Sequence, residues 1–136
     1  MVTNLALGTA PLGNLFQPVP GDKALAVLRG AFDAGLAHVD TAPHYGVGLA
    51  EECIGQALAA VSRSEVTVAT KVGRRLFPVD PARATSAEGF VQTPSRERRW
   101  DLSRDGVRRS LDESLERMGI DRVDVLYLHD PDDHDV

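Results

Sequence analysis

Short apolar segments alternate with single amphipathic stretches of helical length, and this alternation constrains the 136-residue chain most. Residues 5–10 form a first candidate strand. Gly21 and Asp22 open a helix, with Asp22 as the expected N-cap, Leu25, Leu28 and Phe32 at helical spacing, and Gly35 at its end. Residues 36–40 read as a second strand, and a helix over 49–61 aligns Ile54, Leu58 and Val61. The β-branched run 66–72 is a third strand. Residues 73–101 contain Pro78, Pro81 and Pro94, show little periodicity and read as a long loop. Asp101 or Ser103 then caps a helix whose expected buried stripe is Val107, Leu111, Leu115 and Met118, with Gly119 beyond it. Residues 123–128 are the fourth strand. Strands joined by one helix pair in parallel through right-handed crossovers. The α/β pattern fits an open doubly wound sheet or part of a (β/α)8 barrel, and does not choose between them.

Composition narrows the function. Apolar residues are 43% and charged residues 26%, as in a globular protein. A net charge of −5 argues against general nucleic-acid binding. No apolar run reaches the ~18 residues of a membrane span. The N-terminus lacks the basic start of a signal peptide. The lone Cys53 rules out an internal disulfide and fits a reducing compartment. The expectation is a cytoplasmic metabolic protein without nucleic-acid or membrane partners.

Chemistry in parallel α/β folds gathers at the carboxyl ends of strands. Here the second strand ends in Asp40, the following loop carries Tyr45, the third strand delivers Lys71, and the fourth ends in His129. A phenol with a reference pKa of about 10 exchanges protons poorly at neutral pH, and a nearby ammonium stabilises its phenolate. A carboxylate can hold that ammonium in place, and an imidazole can hydrogen-bond a substrate oxygen. The set suits proton transfer at a carbonyl oxygen while a hydride moves at carbon, and only a cofactor can supply the hydride.

These residues also carry a family resemblance. Asp40-Thr41-Ala42-Pro43-His44-Tyr45-Gly46 with Glu51, Thr70-Lys71-Val72, and the segment from Ser114 to His129 resemble the signatures of the aldo-keto reductases, as does the early Leu7-Gly8-Thr9-Ala10-Pro11-Leu12-Gly13. Where that family often has Ser before the glutamate, this chain has Ala50. The resemblance implies a (β/α)8 barrel of the TIM type and an NADP- or NAD-dependent oxidoreductase acting on a small-molecule carbonyl or sugar. It implies Tyr45 as general acid/base, tuned by Lys71, with Asp40 holding Lys71 and His129 orienting the substrate. It implies cofactor contacts at Gly8, Thr9 and Asp40. Pro43-His44-Tyr45-Gly46 and the acidic run from His129 are similar to the D-threo-aldose and L-fucose 1-dehydrogenase branch, which implies oxidation of free aldoses to lactones.

A barrel of this kind takes typically about 250 residues. The expectation is that residues 1–136 are the N-terminal half of one barrel domain, about its first four β/α units, with the main cofactor anchor in the C-terminal half. Strands one and four would be open edges inviting self-association, and the piece alone would be inactive.

Other features are weighed beside this reading. Residues 74–109 hold nine arginines against five acids, read first as a solvated loop and helix face and second as a loop that holds an anionic group. The string His129-Asp130-Pro131-Asp132-Asp133-His134-Asp135, with His38 and Asp40, admits a metal-dependent hydrolase, but that reading leaves Tyr45 and Lys71 without roles; the expectation is no metal site. A non-catalytic barrel that binds cofactor or a partner is the other alternative. Gly46-Val47-Gly48 is not a dinucleotide fingerprint. Phe77 and Trp100 are read first as loop packing and second as lining of a substrate pocket.

Overall fold

The computed structural model describes residues 5–83 and 88–133. Its frame is a parallel sheet of β1 (Leu7–Gly8), β2 (His38–Asp40), β3 (Thr67–Val72) and β6 (Val125–Leu128), in that spatial order. Three helices connect them: α1 (Gly21–Asp33), α2 (Leu49–Leu58) and α3 (Arg104–Met118). Between β3 and α3 stands a separate antiparallel hairpin, β4 (Arg74–Pro78) and β5 (Arg96–Trp100). Among the described residues no helix is long and apolar enough to cross a membrane.

The first strand is shorter than residues 5–10 because Ala10–Gly13 turns as a 3-10 helix, with Pro11 early in it where a missing N–H costs nothing. Asp22 lies inside the first turn of α1 rather than at its N-cap, which is Pro20. Its carboxylate accepts from the Lys23 N–H and still complements the positive end of the helix. At α3 the cap is Ser103, whose hydroxyl accepts from the Gly106 N–H at 3.0 Å, while Asp101 in turn accepts from the Ser103 hydroxyl at 2.6 Å.

Alternation along the strands sorts side chains into two layers. Val39 and Val68 point to the helices and join Leu28, Ile54, Ala57 and Met118 in the core. Residue pairs Gly8–Asp40, Asp40–Ala69 and Lys71–Tyr127 are in register on the opposite, inner face. Among the described residues Gly8 on that inner face and the β6 edge are exposed, Leu126, Tyr127 and Leu128 by 42%, 50% and 42%.

Two expectations are corrected. The span 73–101 is not simply a loop, since it contains the β4–β5 hairpin. Its strands lack an apolar alternation because guanidinium groups supply much of the packing: Arg75 and Arg99 stack on Phe77 at 4.9 and 4.6 Å, and Arg74 on Trp100 at 4.3 Å. The buried face of α3 is also rotated from the expected stripe. Gly106, Ser110, Ser114 and Met118 are buried, while Val107, Leu111 and Leu115 are half-buried and stand outside the main core cluster. Close approach demands the small residues: a Cβ on Gly55 of α2 would lie 2.5 Å from the Met118 carbonyl oxygen.

Candidate active site

Asp40 and Lys71 reach the site because each occupies an inner-face position near the carboxyl end of its strand. Lys71 Nζ donates to Asp40 Oδ2 at 2.8 Å and to the Thr41 carbonyl at 2.9 Å. The ammonium lies 4.8 Å from the centroid of the Tyr45 ring, over its face. His129 follows β6, its N–H donating to the Val72 carbonyl at 3.0 Å. Its ring is buried, 6.1 Å from the Tyr45 ring between centroids. The four residues singled out from the sequence therefore converge.

Tyr45 is placed by a tight backbone contact. Gly46 has φ +63°, and Gly13 lies so close that a Cβ there would be 2.7 Å from the Tyr45 carbonyl carbon. Only glycine fits at Gly13, so the first connection of the chain buttresses the turn that presents the phenol. No described residue hydrogen-bonds the Tyr45 hydroxyl, which leaves it available to a substrate oxygen.

Burial, and next the Arg74 guanidinium, lower His129 from 6.5 to about 4. Its imidazole is therefore neutral near neutral pH. Among the described residues its Nδ1 has no hydrogen-bond partner, while Nε2 lies 3.4 Å from Asp130 Oδ2. His44 packs edge-on against His129, 5.2 Å between centroids, and is lowered to about 3 by burial, then by Arg98 and Arg74.

The residues carried over as cofactor contacts divide. Gly8 is exposed on the inner face, with open space where a side chain would stand. Thr9 is fully buried, and its hydroxyl donates to the Asp40 carbonyl at 2.9 Å. Thr9 thus fixes the backbone beneath Asp40.

A buried network stands behind the site. Glu51, wholly buried on α2, accepts from the Thr70 hydroxyl at 2.9 Å and from Arg117 Nε at 2.7 Å, and Arg117 also donates to Ser114. A buried carboxylate needs such full pairing. Through Thr70 it fixes the strand one residue before Lys71, and so ties α2, β3 and α3 together.

Several site residues were not singled out from the sequence. Phe90 is buried with its ring 5.3 Å from His44 and 6.3 Å from Tyr45, and it pairs with Leu15 in an isolated bridge. Arg74 donates to Asp130 at 2.7 Å and contacts His44 Nδ1 at 2.9 Å. Trp100, stacked on Arg74, lies near the site, whereas Phe77 packs against Arg75 and Arg99. Among the described residues no group of three or more metal-ligating side chains occurs, and His134 and Asp135 of the acidic string lie outside them.

Comparison with known proteins gives this geometry a context. The model of the Aldo/keto reductase family matches residues 4–136. The chain is 46% identical over 136 residues to D-threo-aldose 1-dehydrogenase of a Pseudomonas species, covering 97% of this chain and 41% of that protein. It is 41% identical over 131 residues to L-galactose dehydrogenase of Arabidopsis thaliana, covering 95% of this chain and 34% of the relative. Among solved structures, an aldo-keto reductase from Klebsiella pneumoniae in complex with NADPH matches with TM-score 0.62 and 28% identity over 91% of this chain and 34% of that one. The parallel sheet and its helices are thus part of the barrel of these enzymes, and the chain spans well under half the length of each. With its family match running from residue 4 to residue 136, the chain belongs to the aldo/keto reductase family.

Proposed function

We propose that these residues form the proton-transfer site of an oxidoreductase that moves a hydride between a nicotinamide cofactor and a small carbonyl compound or the C1 hydroxyl of an aldose. The observation that carries this reading is the contact set of Lys71: an ion pair to Asp40 at 2.8 Å and a position 4.8 Å above the Tyr45 ring. When bound, the nicotinamide supplies or accepts the hydride. The open inner face beside Gly8, with no atom near the missing side chain, suits the approach of a flat ring. Gly8 and Asp40 would hold it, with Thr9 supporting Asp40 from below.

The chain's own side chains handle the proton. In the reductive direction the Tyr45 hydroxyl gives its proton to the substrate oxygen, and the Lys71 ammonium stabilises the phenolate left behind. Asp40 pairs with Lys71 and keeps it aimed at the phenol. Neutral His129, 5% exposed, donates an N–H to the same oxygen and orients it. In the oxidative direction the phenolate takes the hydroxyl proton. A purely binding site has no need of a charge-paired lysine over a phenol, which favours catalysis over the non-catalytic alternative.

The sugar reading draws on the relatives, two of which are an aldose 1-dehydrogenase and an L-galactose dehydrogenase. Since the chain spans 41% and 34% of these proteins, the activity is proposed for a barrel in which the inner face is closed. The test is to join residues 1–136 to the remaining strands of the Pseudomonas relative and follow reduction of NAD or NADP with a panel of free aldoses. Aldose-dependent reduction supports the proposal. A folded chimera that binds cofactor but oxidises no aldose and reduces no aldehyde rejects it.

A further inference from the structure

Past the carboxyl ends of β3 and β6, the strand pairing stops at Val72 opposite Leu128, with the His129 N–H on the Val72 carbonyl at 3.0 Å. An ion pair then carries the connection further. Arg74, the first residue of β4 and three beyond Lys71, donates from Nη2 to Oδ2 of Asp130, one residue beyond His129, at 2.7 Å. Asp130 stands at φ +39°, a left-handed conformation that a residue with a Cβ adopts at a cost. The carboxylate returns to the ring it follows, with Oδ2 3.4 Å from His129 Nε2.

The same guanidinium approaches that ring by a second route. Arg74 Nη1 contacts His44 Nδ1 at 2.9 Å and Glu88 Oε2 at 3.4 Å, and the guanidinium lies over Trp100 at 4.3 Å. His44 in turn meets His129 edge-on, 5.2 Å between centroids and 82° between planes. The Arg74 side chain is 8% exposed against 53% for Asp130, so the arginine is the member built into the fold. Fixing a long cationic side chain there costs rotamer freedom and desolvation, which its charge-assisted contacts offset. His129 lacks such an anchor on one nitrogen: among the described residues Nδ1 has no hydrogen-bond partner. Its ring is oriented by Asp130 beside Nε2 and by the rings packed on it, and Arg74 touches both Asp130 and His44.

We propose that Arg74 is a positioning residue of the proton-transfer site, holding Asp130 and His44 against the imidazole of His129. That His129 orients the substrate oxygen rests on the oxidoreductase proposal, whereas the hold on its ring does not. Charge and position are separable here because the groups around His129 act in opposite directions. Burial, Arg74 and Lys71 lower its pKa, Asp130 and Asp40 raise it, and the His44 and Tyr45 rings pack beside it. A ring that loses its place regains water and returns from about 4 toward 6.5, whichever charge is removed.

The test is titration of the His129 ring by NMR in the 136-residue chain, with kcat and KM measured in the barrel completed from the Pseudomonas relative. Arg74→Gln should raise His129 from about 4 to about 5–6 and lower kcat about tenfold or more, with KM and cofactor Kd within a few-fold of the parent. Asp130→Asn keeps an oxygen for Arg74 without the charge and should leave His129 at or below about 4. Arg74→Lys keeps the charge but not the fork that reaches two partners; His129 should stay at about 4 while kcat falls several-fold. This variant also decides the matter where Arg74→Gln fails to fold. Arg99→Gln, on the same hairpin with its side chain 62% exposed, should change neither reading. An unmoved His129 in Arg74→Gln, parental kcat in Arg74→Lys, or a rise in Asp130→Asn as large as in Arg74→Gln overturns the proposal. The titration reads no turnover, so loss of the oxidoreductase reading would leave it intact, and an unmoved ring would leave that reading intact.

Discussion

The Lys71 ammonium donates to the Asp40 carboxylate at 2.8 Å, joining two neighbouring strands beside the Tyr45 ring. The pair is part-buried, with side chains 16% and 30% exposed, so its geometry is set by the sheet rather than by chance contact in water. In the closed barrel, Lys71→Met should lower kcat by about 10²–10³-fold, since it removes the charge placed for the phenolate. Asp40→Asn keeps the shape and loses the charge, with an expected loss of about 10- to 100-fold. Steady-state kinetics with cofactor Kd measured alongside checks both; unchanged kcat in Lys71→Met contradicts the role.

Breaking the buried Glu51–Arg117 pair should be costly. Arg117→Met leaves a wholly buried carboxylate whose one other side-chain partner among the described residues is the Thr70 hydroxyl, and should destabilise the chain by about 3–5 kcal/mol. The double replacement Glu51→Leu with Arg117→Leu should recover part of that loss, because no charge remains unpaired. Urea unfolding midpoints read the outcome; a single variant as stable as the parent would show that the pair carries no weight.

How much of this was legible in the sequence differs by region. The strand readings put Asp40 and Lys71 at the carboxyl ends of neighbouring strands, and the loop motif marked Tyr45. The hairpin was not legible, because Arg75, Arg98 and Arg99 stand where an apolar alternation would be read, and ring-stacked guanidinium groups replace it. The α3 face was misread because α3 approaches its neighbours through Gly106, Ser110 and Ser114, which carry no hydrophobic signal. The cluster around His44 joins residues 30 and 54 positions apart, and no local pattern announces such contacts.

Stability should fall with acid through the two buried imidazoles. In the unfolded chain each titrates near 6.5; folding lowers His129 to about 4 and His44 to about 3. Between these values the unfolded state binds protons that the folded state refuses. The contribution of the neutral rings is therefore complete above pH 6.5 and drains away as pH falls toward 4 for His129 and 3 for His44. Denaturant midpoints measured from neutral pH to acid should decline over this window, less steeply in His44→Asn and His129→Asn. A flat or rising midpoint in the parent would contradict the burial of neutral histidines.

Gly13→Ala tests the buttress behind the phenol. The added Cβ meets the Tyr45 backbone at 2.7 Å, where neither side is a flexible side-chain end. The expected cost is about 1–3 kcal/mol of overpacking strain, with kcat lowered more than cofactor affinity. An alanine variant of parental stability and activity would mean that the turn does not depend on this contact.

The most direct measurement of the central claim is turnover of Tyr45→Phe in the barrel formed from residues 1–136 and the remaining strands of the Pseudomonas relative. Removing one oxygen keeps the ring under Lys71 and deletes only the proton. The account predicts cofactor binding within a few-fold of the parent and kcat lower by about 10²–10⁴-fold in both directions of the reaction. Near-parental turnover would contradict it and move the proton to another group.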